Sequence, residues 1–103
     1  MESKKIYTVN NVTLKSIGRR YCALLFSDPE YEPATWRDLR DLMQVMEWEG
    51  AVVAQLVGVS GGSKAGSRTV RRWTADPSET DSARQIPYAA WRLLLINAGL
   101  VTK

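Results

Sequence analysis

Apolar residues recur at helical intervals in five separate stretches of the chain. Leu14, Ile17, Tyr21 and Leu24 or Leu25 stand three and four apart, which predicts a first helix over about Leu14–Phe26, capped by Thr13 or Asn11. Pro29 and Pro33 then break the pattern. Thr35 opens a second helix, with Trp36, Leu39, Leu42 or Met43, and Met46 on one face and Arg37, Asp38, Arg40, Asp41 and Glu47 on the other. The third stretch, "AVVAQLVGV", predicts a short helix after Gly50 that ends near Gly58, with Val53, Leu56 and Val57 turned inward. A fourth helix, "RTVRRWTAD", has Val70 and Trp73 as its apolar face and stops before Pro77. In the last helix Pro87 fits the first turn, and Trp91, Leu94, Leu95 and Ala98 share a face. Gly99 suits a left-handed cap there, with Leu100 as its apolar contact. The expected fold is all-α: a compact bundle of about five helices in one domain over residues 1–103. "KIYTV" is too brief to decide between a short strand and an arm for residues 1–12.

Composition narrows the function. The chain has no histidine and one cysteine, Cys22. The usual general base, the Ser-His-Asp triad and the usual zinc ligands are therefore missing together, and no disulfide framework is possible. The expectation is a protein that is not an enzyme, carries no metal and needs no cofactor. A lone cysteine suits a reducing, cytoplasmic setting. "MESKKIYTV" lacks the apolar stretch of a secretory signal, and no apolar run approaches the ~20 residues of a membrane span.

Charge is unevenly spread. Residues 28–49 hold seven acids and two bases, whereas residues 50–75 hold no acid and contain Lys64, Arg68, Arg71 and Arg72. Such a basic patch is the footprint of an anion-binding face, although the net charge is only +3. Two short helices joined by a turn, the second of them basic, form the outline of a helix-turn-helix. The residues carry the likeness further. "VAQLVGVS" followed by "RTVRRW" resembles the phage Cro/repressor-type helix-turn-helix family. The resemblance rests on Ala54, Val57, Gly58, Val59, Ser60, Thr69, Val70 and Trp73. It implies that Ala54 is small where the helices cross and that Gly58 takes a positive φ. It also implies that Val59 and Val70 fill the corner between the helices, while Trp73 anchors the second one.

On that resemblance, Ser67, Arg68, Arg71 and Arg72 face the major groove, where arginine can pair bidentately with guanine. Ser60, Ser63, Lys64 and Thr69 are expected to touch phosphates. The segment from Ser60 to Thr69 is longer than the family's turn. Length there costs little, since doubling a loop costs ~0.6 kcal/mol, and "GGSKAGS" is expected to lie along the backbone phosphates.

Other motifs have plainer readings. "GVSGG" fits a nucleophile elbow, but there is no histidine to activate the serine. The same stretch lacks the adjacent Gly-Lys-Ser/Thr of a phosphate loop. Asp38 and Asp41 read as a solvated helix face, not a catalytic pair. Arg19 and Arg20 beside Tyr21 read as the wet side of a helix, with a supporting phosphate contact as the minor alternative. The expected partner is double-stranded DNA, bound sequence-specifically by a transcriptional regulator acting as a homodimer, with the second helix and the Trp91 helix as candidate dimer surfaces. The bacterial, phage or plasmid setting is implied by the resemblance alone. A protein-interaction module that keeps a helix-turn-helix shape (an antitoxin, an adaptor or a phage-encoded inhibitor) is the first rival, and an RNA or single-strand binder is the second.

Overall fold

Thr13 and Thr35 start the first two helices by the same device. The Thr13 hydroxyl accepts from the Ser16 amide at 3.1 Å, and the Ser16 hydroxyl accepts from the Thr13 amide at 3.1 Å. Thr35 and Asp38 repeat this exchange at 3.3 and 2.7 Å. Each box satisfies amides that a helix start leaves without partners. In the computed structural model, which describes residues 8–9, 12–59 and 68–102, five α-helices follow in order. They are α1 (Leu14–Ile17), α2 (Trp36–Met46), α3 (Gly50–Val57), α4 (Arg68–Thr74) and α5 (Tyr88–Asn97). A two-residue antiparallel ladder precedes them, β1 (Thr8–Val9) with β2 (Val12–Thr13), pairing Thr8 with Thr13 and Val9 with Val12.

The fold is an all-α bundle. Its core holds Ile17 from α1, Leu39, Leu42 and Val45 from α2, Val53 and Ala54 from α3, Val70 and Trp73 from α4, and Trp91, Leu94 and Leu95 from α5. Ala34 and Ile86 are buried from the connecting segments. α3 packs on α5 and α4, and α2 packs on α1 and α4.

The first helix differs from the periodicity. It ends at Ile17, and a separate 3-10 turn covers Tyr21–Ala23. Tyr21, Leu25 and Phe26 are exposed, while Cys22 and Ala23 are buried instead. Gly18 keeps a helical backbone and is met there from the far end of the chain. The Leu100 side chain comes within 3.2 Å of where a Cβ on Gly18 would stand. Arg20 then turns into an extended conformation and reaches α2, with one nitrogen 2.8 Å from Asp38 Oδ1 and another 2.9 Å from Asp41 Oδ2. The two carboxylates read as a solvated face thus hold an arginine that was read as solvated too. Burial works against the Arg20 charge, but its bonds to Asp41 and Asp38 outweigh that and hold its pKa above the ordinary value.

On α3, Val53 and Ala54 are the buried residues, and Leu56 and Val57 are only partly covered. The helix therefore uses its small Ala54 as a contact and leaves its last turn nearer the surface. Gly58 and Gly99 follow α3 and α5 at φ 81 and 80, a region that costs most residues with a Cβ about 1–2 kcal/mol. At the end of α5 the Gly99 and Leu100 amides donate to the Ile96 and Leu95 carbonyls at 3.0 Å, the bond pair of a Schellman cap. Pro87 sits one place earlier than expected, as the N-cap. The buried Trp91 indole donates to the Cys22 carbonyl at 2.9 Å, and an Arg92 nitrogen donates to the Ala23 carbonyl at 2.6 Å, so α5 holds the 3-10 turn in place.

Candidate nucleic-acid interface

α4 is two turns long and has two opposite characters. Val70 and Trp73, three apart, are 2% and 6% exposed and face the core. Arg68, Thr69, Arg71 and Arg72 are exposed. The spacing forces this split, because residues three and four apart share a helix face. It also puts Arg68 beside both Arg71 and Arg72. Like charges at these spacings oppose the helix by about 0.2–0.5 kcal/mol per pair. Among the described residues, none of the three arginines forms an ion pair that would relieve this. Arg71 and Arg72 in the last turn gain something from the helix dipole. The rest of the cost falls on Val70 and Trp73, whose burial holds the helix on α2 and α3.

The three arginines line one open cleft of about 440 Å³ together with Ser82. Of the residues expected at the site, the structure thus brings Arg68, Arg71 and Arg72 together and leaves Thr69 exposed on the same helix. Ser60, Ser63, Lys64 and Ser67 lie outside the described residues.

The far end of α4 is tied down by two other arginines. Arg40 of α2 donates from Nε to the Thr74 carbonyl at 2.7 Å, with its guanidinium 4.8 Å from the centre of the Trp36 ring. The Arg84 amide donates to the Arg72 carbonyl at 2.9 Å. The Thr74 hydroxyl donates to the Arg71 carbonyl at 3.1 Å. These bonds satisfy carbonyls that a helix end leaves open. They also fix the direction in which the arginine face points.

No cluster of histidine, cysteine or acidic residues that could hold a metal ion occurs among the described residues. The Cys22 thiol is pushed up to about 12, chiefly by burial and next by the Asp38 carboxylate, so it stays protonated and unreactive at neutral pH. Among the described residues, no helix is long and apolar enough to cross a membrane.

Over 66 residues the sequence is 36% identical to the transcriptional repressor protein KorC of Escherichia coli, which spans 64% of this chain and 67% of that protein. The chain belongs to the KorC family. No established family profile matches it, and no solved structure does.

In this KorC-family chain, sequence reasoning overlooked Ser82. It belongs to the polar connector between α4 and α5, and nothing in its own neighbourhood marks it. The connector folds into turns started by Asp76, whose Oδ1 accepts from the Ser78 amide at 2.9 Å and the Ser78 hydroxyl at 2.8 Å. These bonds to Ser78 draw the Asp76 pKa below the usual carboxylate range. A second pair, Thr80 and Ser82, lies 2.9 Å apart through its hydroxyls. The folded connector thereby carries Ser82 back beside α4. The other overlooked residue is Arg40, whose charge was assigned to a solvated face and whose role is to brace α4.

Proposed function

We propose that this chain is a transcriptional repressor that reads double-stranded DNA with α4. On this reading α3 and α4 form a helix-turn-helix of the phage Cro/repressor type, within one DNA-binding domain over residues 1–103. The carrying observation is the two-sided α4: Arg68, Arg71 and Arg72 gather at one cleft while Val70 and Trp73 lock the opposite side into the core. A short helix that gathers uncompensated like charges is stabilised when an anion meets it. The major groove admits a helix of this width, and its phosphate flanks supply the anion. Arg71 and Arg72 read bases, Arg68 and Thr69 act at the groove edge, and Ser60, Ser63, Lys64 and Ser67 add contacts from the segment before α4. Ser82 completes the cleft as a phosphate-contacting hydroxyl.

Kinship with a protein named as a transcriptional repressor supports repression over the other roles such a module could have. The protein then acts without catalysis or cofactor, in the cytoplasm of a bacterium or in the service of a phage or plasmid, and binds a two-fold site as a homodimer.

The test is a titration against duplex DNA from upstream of the protein's own gene, with random duplex as competitor, over a series of salt concentrations. Specific binding is expected to exceed random binding by ~10³-fold or more. Arg71→Ala or Arg72→Ala is expected to cost ~1–3 kcal/mol and to relax the preference at one base pair. Absence of duplex binding at low ionic strength, or unchanged binding in both variants, overturns the reading.

A further inference from the structure

α5 is apolar on both sides. Its inner face, Trp91, Leu94 and Leu95, is fully buried. Its outer face repeats Ala89, Leu93 and Ile96 at intervals of four and three, with Leu93 41% and Ile96 37% exposed. A helix that is apolar all round is ordinarily covered all round. The one charged residue of α5 is Arg92, and its guanidinium is drawn inward to the Ala23 and Leu24 carbonyls at 2.6 and 3.3 Å. Next to this stripe, Phe26, 67% exposed, packs on Tyr88 at 5.3 Å and on Tyr31 at 5.5 Å, and the two tyrosine rings are themselves 5.5 Å apart. Three rings from separate parts of the chain therefore meet at the surface beside the open side of α5.

We propose that this face, the Ala89–Leu93–Ile96 stripe flanked by the Phe26–Tyr31–Tyr88 rings, is where two copies of this chain pair. Three observations favour a second copy over another occupant. First, the chain carries a net charge of +3, so identical copies repel at a basic face, and the outer stripe of α5 presents no charge. A bilayer surface would call for outward lysines or arginines beside the stripe, and α5 has none. Second, spacing of four and three is the seam along which helices pair with one another. An antiparallel pair centred on Leu93 sets Ala89 of one copy near Ile96 of the other, small against large, which is how facing positions interdigitate. Third, α5 and α4 both lean on α3, and α4 also leans on α2, so pairing through the outer side of α5 leaves the arginine cleft open.

α2, the other candidate surface, has its Asp38 and Asp41 carboxylates committed to Arg20. A standard stable interface takes about 20–30 residues from each partner, and this face is built on six: Phe26, Tyr31, Tyr88, Ala89, Leu93 and Ile96. Association is therefore expected at micromolar concentrations and not far below. The inference draws on the DNA-binding reading only for the usefulness of two-fold symmetry, and its test contains no DNA.

Sedimentation equilibrium of the full chain, from about 1 µM to about 1 mM, is expected to show a monomer–dimer equilibrium. Leu93→Glu and Ile96→Glu are each expected to weaken it at least tenfold, since symmetry places each new charge twice in the contact. Gln44→Glu, an exposed position on α2, adds the same charge elsewhere and is expected to leave it unchanged. A cysteine variant gives a second readout that does not need the glutamates to fold. Cys22 is the chain's only cysteine and is buried, so Leu93→Cys supplies the reactive thiol. It is expected to form a disulfide-linked dimer under mild oxidation much faster than Gln55→Cys on the exposed side of α3.

A wild-type chain that stays monomeric throughout the range overturns the inference. So does a dimer that both glutamate variants leave intact, or cross-linking that is equally fast at Leu93→Cys and Gln55→Cys. Any of these leaves the reading of α4 standing, and failure of DNA binding with pairing intact leaves this inference standing.

Discussion

Arg40→Ala tests whether α4 owes its aim to a brace and not only to its own packing. Arg40 spends its guanidinium on the Thr74 carbonyl at 2.7 Å and on the Trp36 ring at 4.8 Å. A hydrogen bond from a charged group contributes ~1.5–3 kcal/mol when well shielded. Arg40 is exposed, so the value here falls to ~1 kcal/mol. The stacking on Trp36 adds ~0.5 kcal/mol at a solvent-facing position. Removing both is expected to cost ~1.5 kcal/mol, which lowers the thermal midpoint of a chain this size by ~6 °C. Arg40→Lys keeps the positive charge but has neither the planar fork nor the Nε–H, and is expected to restore less than half of that loss.

The same variants separate a brace from a phosphate contact. If Arg40 acts by holding α4, affinity for the target duplex falls in both variants while the salt dependence keeps its slope. A direct phosphate contact would instead lower the slope by ~0.9 in Arg40→Ala and regain it in Arg40→Lys. Calorimetry and a salt-series titration on the same samples give both numbers. A midpoint within about 1 °C of wild type in Arg40→Ala, or full restoration by Arg40→Lys, refutes the bracing role.

Two further predictions concern the core. Trp91→Phe removes the donor to the buried Cys22 carbonyl and is expected to cost ~2–4 kcal/mol, from the unsatisfied carbonyl and the smaller ring, as read by urea denaturation. The Cys22 thiol titrates near 9.0 in an unfolded chain and near 12 in the folded one. The unfolded chain therefore ionises first, so stability is expected to hold below pH 9 and to fall steadily as pH rises from about 9 toward 12. Cys22→Ser, whose hydroxyl does not ionise there, is expected to flatten that part of the pH curve.

The helices that were legible carried both periodicity and a local end signal. α2 had Thr35 with Asp38 three residues on, α5 had Pro87 and Gly99, and α4 had Val70 and Trp73 with a proline beyond. Each of these features acts within a turn or two of itself. α1 was overextended because what ends it is not local: Arg20 leaves the helical path for Asp38 and Asp41. The same limit explains the site. That Arg68, Arg71 and Arg72 share a face follows from spacing alone. Ser82 beside them, and Arg40 behind them, depend on how distant segments meet. The exposure of Phe26, which periodicity had placed in a helix, was hidden for the same reason, since its packing partner Tyr88 is 62 residues away in the sequence.

The bonds from Trp91 to Cys22 and from Arg92 to Ala23 each span 69 residues of chain. They tie the helix that carries the largest fully buried side chain, Trp91, to a turn made long before it. On a ribosome, α1 and the 3-10 turn emerge early, yet neither can complete its burial until α5 has been synthesised and has left the exit tunnel. The nascent protein therefore leaves Ile17 and Cys22 without their final cover until that helix arrives. Completion of the core then waits on how fast the last helix finds the first turn.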